Sequence, residues 1–352
     1  MSLVAIVSFR LGGPDGVSVE AAKWAWALGQ LGHTTVTVAG EGPVDRLVPG
    51  LAIGAADPPS HRELDEALEG CDLVIVENLC SLPLNPGASR RVADVRRGRP
   101  TILHHHDLPW QRPHLAHIEG PPTDDAWRHV TINELSRREL AERGIHARTI
   151  YNTFDTSQRP GDRAGTRKRL GLDEQQRLVL QPTRALARKN IPGGLELAAA
   201  LGATYWLLGR AEDGYGPELD RLLAETPCPV IRGSGAINDI SDAYAAADVI
   251  TLPSFWEGFG NPTIESVTYR RPLAIGRYPV ARELLGFGFE FFDIAESWRL
   301  DEWLRRGDTS ALERNLARAD AHFSLALLPG RVRSVVDSLG EAVPSSNRPL
   351  DS

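Results

Sequence analysis

Short β-branched runs alternate with amphipathic stretches along the whole of this chain, and that alternation leaves few architectures open. In the first half, residues 3–9, 34–38, 73–76, 101–105, 128–132 and 148–151 read as strands. The helix after the first strand spans 17–31 and stops at Gly32, and another begins near Glu134. The pattern restarts with a strand at 178–180, a helix over 192–201, and strands at 205–208, 230–232, 249–252 and 273–275, with 289–292 as a short last strand. Such alternation is the signature of a parallel α/β sheet, and 352 residues accommodate about two of them. The expected division is 1–155 and 156–322, with a helix over 323–340 and a disordered tail over 341–352. The polar, Arg/Gly-rich stretch 155–169 predicts an interdomain linker. Helices at 296–306, 311–321 and 331–339 complete the outline.

An apolar content of 42% and a charged content of 24% are those of a soluble globular protein. The net charge of −7 argues against nucleic acid as a main ligand and gives no general pull toward anionic lipid, although a local basic patch leaves room for peripheral membrane contact. No run reaches transmembrane length, and the start, MSLVAIVSFRLGG, reads as a strand rather than a signal peptide. Three cysteines, Cys71, Cys80 and Cys228, lack metal-ligand spacing and fit a reducing, cytoplasmic setting. Lysine is confined to Lys23, Lys168 and Lys189 against abundant arginine, a bias of the kind a GC-rich bacterial genome produces.

Chemistry concentrates in TLPSFWEGFGNPTIESVTYRR, residues 251–271. An apolar strand ends at a proline, a glycine loop follows, and a helix starts. Pro262 suits the first helical position and Asn261 the N-cap. Amides at a helix start attract phosphate, and Gly258 and Gly260 let the backbone approach a ligand. Glu257 and Glu265 are acceptor-only when ionised and suit hydroxyl-rich ligands. Together these features describe a site for a nucleotide-sugar. The loop QPTRALARKN, residues 181–190, brings three cations to another helix start, where Arg forks and a Lys point charge neutralise a diphosphate. The first loop, with Gly12 and Gly13, is a glycine-rich turn without the spacing of a dinucleotide binder, which counts against an NAD-type dehydrogenase. On a strand, TILHHHD (residues 101–107) places His104 and His106 on one face about 7 Å apart. Three readings stay open there: histidines packed at a strand end, a metal site without a recognised third ligand, and a sugar contact.

The string SFWEGFGNPTIES resembles the E-x7-E signature of retaining glycosyltransferases of the GT-B fold, of the family 4-like (group 1) type. The resemblance implies two Rossmann-like parallel-sheet domains facing across a cleft, with the final helix crossing back to the first. It implies that Glu257 contacts donor-sugar hydroxyls and that Glu265 holds the ribose, within a loop of Gly258, Phe259, Gly260, Asn261, Pro262 and Thr263. Arg184 and Lys189 match the family's diphosphate-binding cations. His106, with Asp107 following, matches a histidine that hydrogen-bonds the transferred sugar. Gly12 and Gly13 fall in the loop near the donor phosphates. Arg232, followed by Gly233, falls where the nucleobase is met, largely through backbone. Trp110 and the segment after it, to residue 122, would face the acceptor. The implied activity is sugar transfer from a nucleoside-diphosphate sugar to an acceptor hydroxyl with retention. No covalent nucleophile, cofactor or metal motif is evident, and the acceptor is unknown. A phosphorylase or epimerase on the same fold, or a non-catalytic sugar-nucleotide-binding protein, is the alternative.

Overall fold

Strand β1 (Leu3–Arg10) is buried at every residue from Val4 to Phe9. A strand apolar on both faces needs helices on both faces, so β1 must be central in a parallel sheet. The computed structural model describes residues 1–112, 115–118 and 120–340. It divides into two compact units: the first is Met1–Thr153 with the chain from Leu325 onward, and the second is Phe154–Ser324.

In the first unit, β1 is followed by α1 (Gly16–Gln30), β2 (Thr34–Glu41), β3 (Arg46–Leu47), α2 (His61–Ala67), β4 (Leu73–Glu77) and α3 (Pro86–Arg96). Then come β5 (Thr101–His105), β6 (Trp127–Thr131), α4 (Glu134–Ala141) and β7 (Ala147–Thr149). The seven strands are all parallel, in the order β3-β2-β1-β4-β5-β6-β7. Alternate residues of β1 serve different cores, as period-two geometry requires. Ala5, Val7 and Phe9 join Val36, Val38, Leu64 and Val92 on one face, while Val4 joins Trp24, Leu28, Ile75, Ile102 and Val130 on the other.

In the second unit, α5 (Arg163–Arg169) precedes β8 (Leu178–Gln181), α6 (Ile191–Ala200), β9 (Thr204–Leu207), α7 (Gly216–Glu225), β10 (Val230–Arg232) and α8 (Ile240–Ala246). There follow β11 (Val249–Leu252), α9 (Pro262–Thr268), β12 (Leu273–Ile275), α10 (Pro279–Leu285), β13 (Phe292–Asp293), α11 (Ser297–Arg306) and α12 (Ser310–Phe323). This sheet is also parallel, in the order β10-β9-β8-β11-β12-β13. Its two chain ends lie together: the Phe154 amide donates to the Phe323 carbonyl at 2.7 Å. The chain then returns to the first unit as α13 (Leu328–Asp337), whose Leu328, Val332 and Val335 complete the core around Trp24 and Leu28. Arg128 donates to the Ser338 carbonyl and Arg148 to that of Ser334.

The segment 155–169 is not all linker. Asp162 caps α5 through the Gly165 amide, and α5 packs on α8. Arg163 and Arg167 reach the carbonyls at the end of α8 and the Asp248 carboxylate. Cations fit a helix C-terminus, so residues that look solvated in sequence are buttresses here, Arg167 being buried. The last strand forms at 292–293 because Phe289 is drawn into an aromatic cluster with Phe291 and Phe323. The tail 341–352 lies outside the described residues. No helix among the described residues is long and apolar enough to cross a membrane.

In each sheet the order reverses once, between β1 and β4 and between β8 and β11. Loops at the carboxyl ends of strands flanking such a point are where open α/β sheets bind ligands.

Candidate functional site

In the second unit, the loops after β8 and β11 meet at the switch point. Asn190, left-handed at φ 50°, caps α6 through the Gly193 amide and donates to the Pro253 carbonyl at 3.1 Å. The Phe255 amide donates to the Arg188 carbonyl. These ties bring Glu257, buried, onto Lys189: Nζ to Oε1 is 2.5 Å. Ser254 Oγ donates to the same oxygen at 2.5 Å, and Arg188 Nη1 to Oε2 at 3.1 Å. Arg188 also bonds the Trp256 carbonyl. Burial pushes the Glu257 pKa up, but Lys189 and Arg188 outweigh it and hold the carboxyl below its ordinary value. Burial, with Arg188 and Arg184 nearby, draws the Lys189 ammonium down against the pull of Glu257. Two cations and one anion leave one net positive charge at the loop, suited to a polyanion.

Helix α9 starts with Pro262 at its first position, as the sequence indicates, but Asn261 is itself helical and its side chain makes no cap bond. The Thr263 amide donates to the Gly260 carbonyl, and those of Ile264 and Glu265 to the Asn261 carbonyl, so these amides are already engaged within the turn. Gly260 has φ +84°, and a Cβ there would lie 2.5 Å from Tyr278 Oη. Phe259 points inward, against Phe154 and Phe323. Glu265, on the first turn, accepts from Tyr244 Oη at 2.5 Å.

Two further predicted residues hold surface ion pairs. Arg184, half exposed, pairs with Glu212 at 2.6 Å. Arg232 pairs with Asp220 at 2.9 Å, while the Gly233 amide and carbonyl are bonded to Leu207 and Trp206. Arg188, Ser254 and Tyr244, which the motifs do not single out, bond Glu257 or Glu265. Arg188 was visible as a third cation in its loop, whereas the other two carry no local signal.

In the first unit, Gly12 is left-handed, and a Cβ would come within 2.6 Å of Pro43. Asp15 caps α1 and bonds Ser18 twice, beside Gly13. At the ends of β4 and β5, Glu77 is fully buried and its Oε2 meets His104 Nδ1 at 2.9 Å and His106 Nε2 at 2.7 Å. The two rings converge to 4.5 Å between centroids. Burial pushes the Glu77 pKa up, but the two imidazoles more than offset it and bring it to about 2. Burial lowers His104; His106 is raised, because Glu77, Glu20 and Asp107 outweigh burial. Glu77 supplies the carboxylate that sequence spacing did not reveal, and potential ligand atoms of all three residues lie within 4.8 Å of one another. The ionised carboxylate accepts only, so the facing ring nitrogens carry its hydrogen-bond protons. His105, on the other strand face, bonds Ser81 and His129 and is an ordinary packed histidine.

No family model matches the chain. Mannosylglucosylglycerate synthase from Petrotoga mobilis is 26% identical, over 86% of this chain and 89% of its own length. The protein of the same name from Thermotoga maritima is 25% identical over 95% and 94%. Among solved structures, Anabaena Alr3699/HepE in complex with UDP-glucose superposes with a TM-score of 0.73 at 17% identity, covering 96% of this chain and all of that one. A glycosyltransferase from Rickettsia africae gives 0.73 at 14%, covering 97% and 99%. The chain thus has the GT-B fold of the group 1 glycosyltransferases, the family its sequence resembles.

Proposed function

We propose that this protein is a retaining glycosyltransferase whose second unit holds a nucleoside-diphosphate sugar, and that it needs no divalent ion or other cofactor. The observation that carries the reading is the buried Lys189–Glu257 pair, with Arg188 and Ser254, at the β8/β11 switch point. Buried ion pairs are costly to assemble and cluster at functional sites, and this group joins a cationic loop to an acceptor-only carboxylate. Lys189 and Arg188, with Arg184 from the same loop, would neutralise the departing diphosphate. Glu257 would orient sugar hydroxyls and Glu265 the ribose. His106, in the first unit, would contact a sugar hydroxyl, a role that rests on resemblance. Preorganised charge of this kind contributes about 3–4 kcal/mol per donor to a transition state. The names of the sequence relatives make a glycosylated glycerate the acceptor to try first.

Calorimetry against UDP-, GDP-, ADP- and TDP-sugars is the test. One class should bind, and Lys189→Ala and Glu265→Ala should each weaken it at least tenfold. Equal affinity in both variants contradicts the assignment.

A further inference from the structure

Glu77 belongs to none of the sequence motifs, yet it is a fully buried carboxylate in the first unit with two imidazoles on one oxygen. Its neighbour Asn78, left-handed at φ 60°, accepts from the amides of both His106 and Asp107 at 3.1 Å. The end of β4 therefore grips the end of β5 twice, once by backbone and once by ring. This grip leaves Glu77 Oε1 and His104 Nε2 buried without partners. Each such atom has lost its water without gaining a hydrogen bond, which is unfavourable. Apolar side chains of similar size would avoid that cost, so stability alone does not explain the arrangement. Among the described residues, nothing hydrogen-bonds the second ring nitrogen of His106, Nδ1, and it is not among the buried unpartnered atoms.

We propose that Glu77 is a positioning residue for His106. By accepting the Nε2 proton it fixes ring and tautomer, so that Nδ1 is presented as an acceptor to a ligand hydroxyl. His104, seated against Trp24 at 4.5 Å, holds the same carboxylate oxygen. A general consequence is that orientation and basicity of His106 come from one carboxylate, as a second residue does for many working imidazoles. The inference rests on the functional reading above only in taking the ligand to be hydroxyl-rich.

Ring nitrogens of 15N-histidine-labelled protein, observed through long-range proton–nitrogen correlations, test it. Wild-type His106 should carry its proton on Nε2 above its titration, and E77Q should titrate at lower pH because an anion beside the ring is lost. Signals of His105 and His129 should stay unchanged as a control for folding. If E77Q does not fold, E77D, which keeps the charge but withdraws it, should give a smaller downward shift. Nucleotide affinity itself should match wild type, so failure of that affinity in the parent protein would sink the functional reading alone. A wild-type His106 protonated on Nδ1, or titration unaltered in either variant, overturns the proposal. So does one zinc per chain whose removal by chelator shifts the His104 and His106 signals.

Discussion

Glu257 is an anion that burial opposes and three neighbours rescue. Removing it strands the Lys189 ammonium in a buried site, so Glu257→Ala should cost about 3–5 kcal/mol of stability as well as turnover. Glu257→Gln, which can still accept from Ser254, should cost less, and urea melts of the two variants measure the difference. Loss of turnover in the alanine variant alone is therefore ambiguous; loss in a stable glutamine variant is not. Acid sensitivity follows from the same residues. Glu77 and Glu257 have lowered folded pKa values, so their stabilising contribution is present above about pH 4.5 and lost as pH falls, for Glu77 down to about 2. His129 is held by burial at about 4, so the unfolded chain binds its proton first as pH drops below about 6.5. That group alone removes up to about 3 kcal/mol between pH 6.5 and 4. The melting temperature should fall steadily over that range, and a flat profile contradicts the burial described. At this scale Glu257, Glu265 and Lys189 are legible as candidates because residue type and loop context coincide. Glu77, Asn78, Ser254 and Tyr244 are not: Glu77 and Asn78 meet His106 across 29 and 28 residues, and Tyr244 meets Glu265 across 21.

The strand–loop–helix element of β11 and α9 carries most of the candidate site, and Gly260 is its pivot. A Cβ there would be both left-handed and 2.5 Å from Tyr278 Oη. Gly260→Ala should cost about 1–3 kcal/mol and weaken nucleotide-sugar binding. Adding Tyr278→Phe should recover part of the stability, because the hydroxyl is the nearest obstacle; no recovery would place the cost in the backbone alone. The central strands were readable because apolar runs bounded by Gly and Pro leave little choice of element. Helix α5 was not, since RAGTRKR carries no apolar stripe and is held by Arg163 and Arg167 bonding to α8.

For the whole molecule, the chain visits the first unit, builds the second, and returns. The returning helix α13 buries Leu328, Val332 and Val335 against Trp24 and Leu28. Ending the chain at Ser324 should therefore destabilise the first unit by on the order of 5 kcal/mol, at about 1.5–3 kcal/mol per buried aliphatic side chain. The second unit should lose little, and calorimetric unfolding of the truncated chain would distinguish the two. At this scale the decisive property is binding of a sugar nucleotide at the β8/β11 switch point. A crystal structure of the protein with the sugar nucleotide that calorimetry selects tests this most directly. The account predicts the diphosphate against Lys189 and Arg188, the ribose at Glu265 and the sugar hydroxyls at Glu257; a nucleotide bound away from these residues would contradict it.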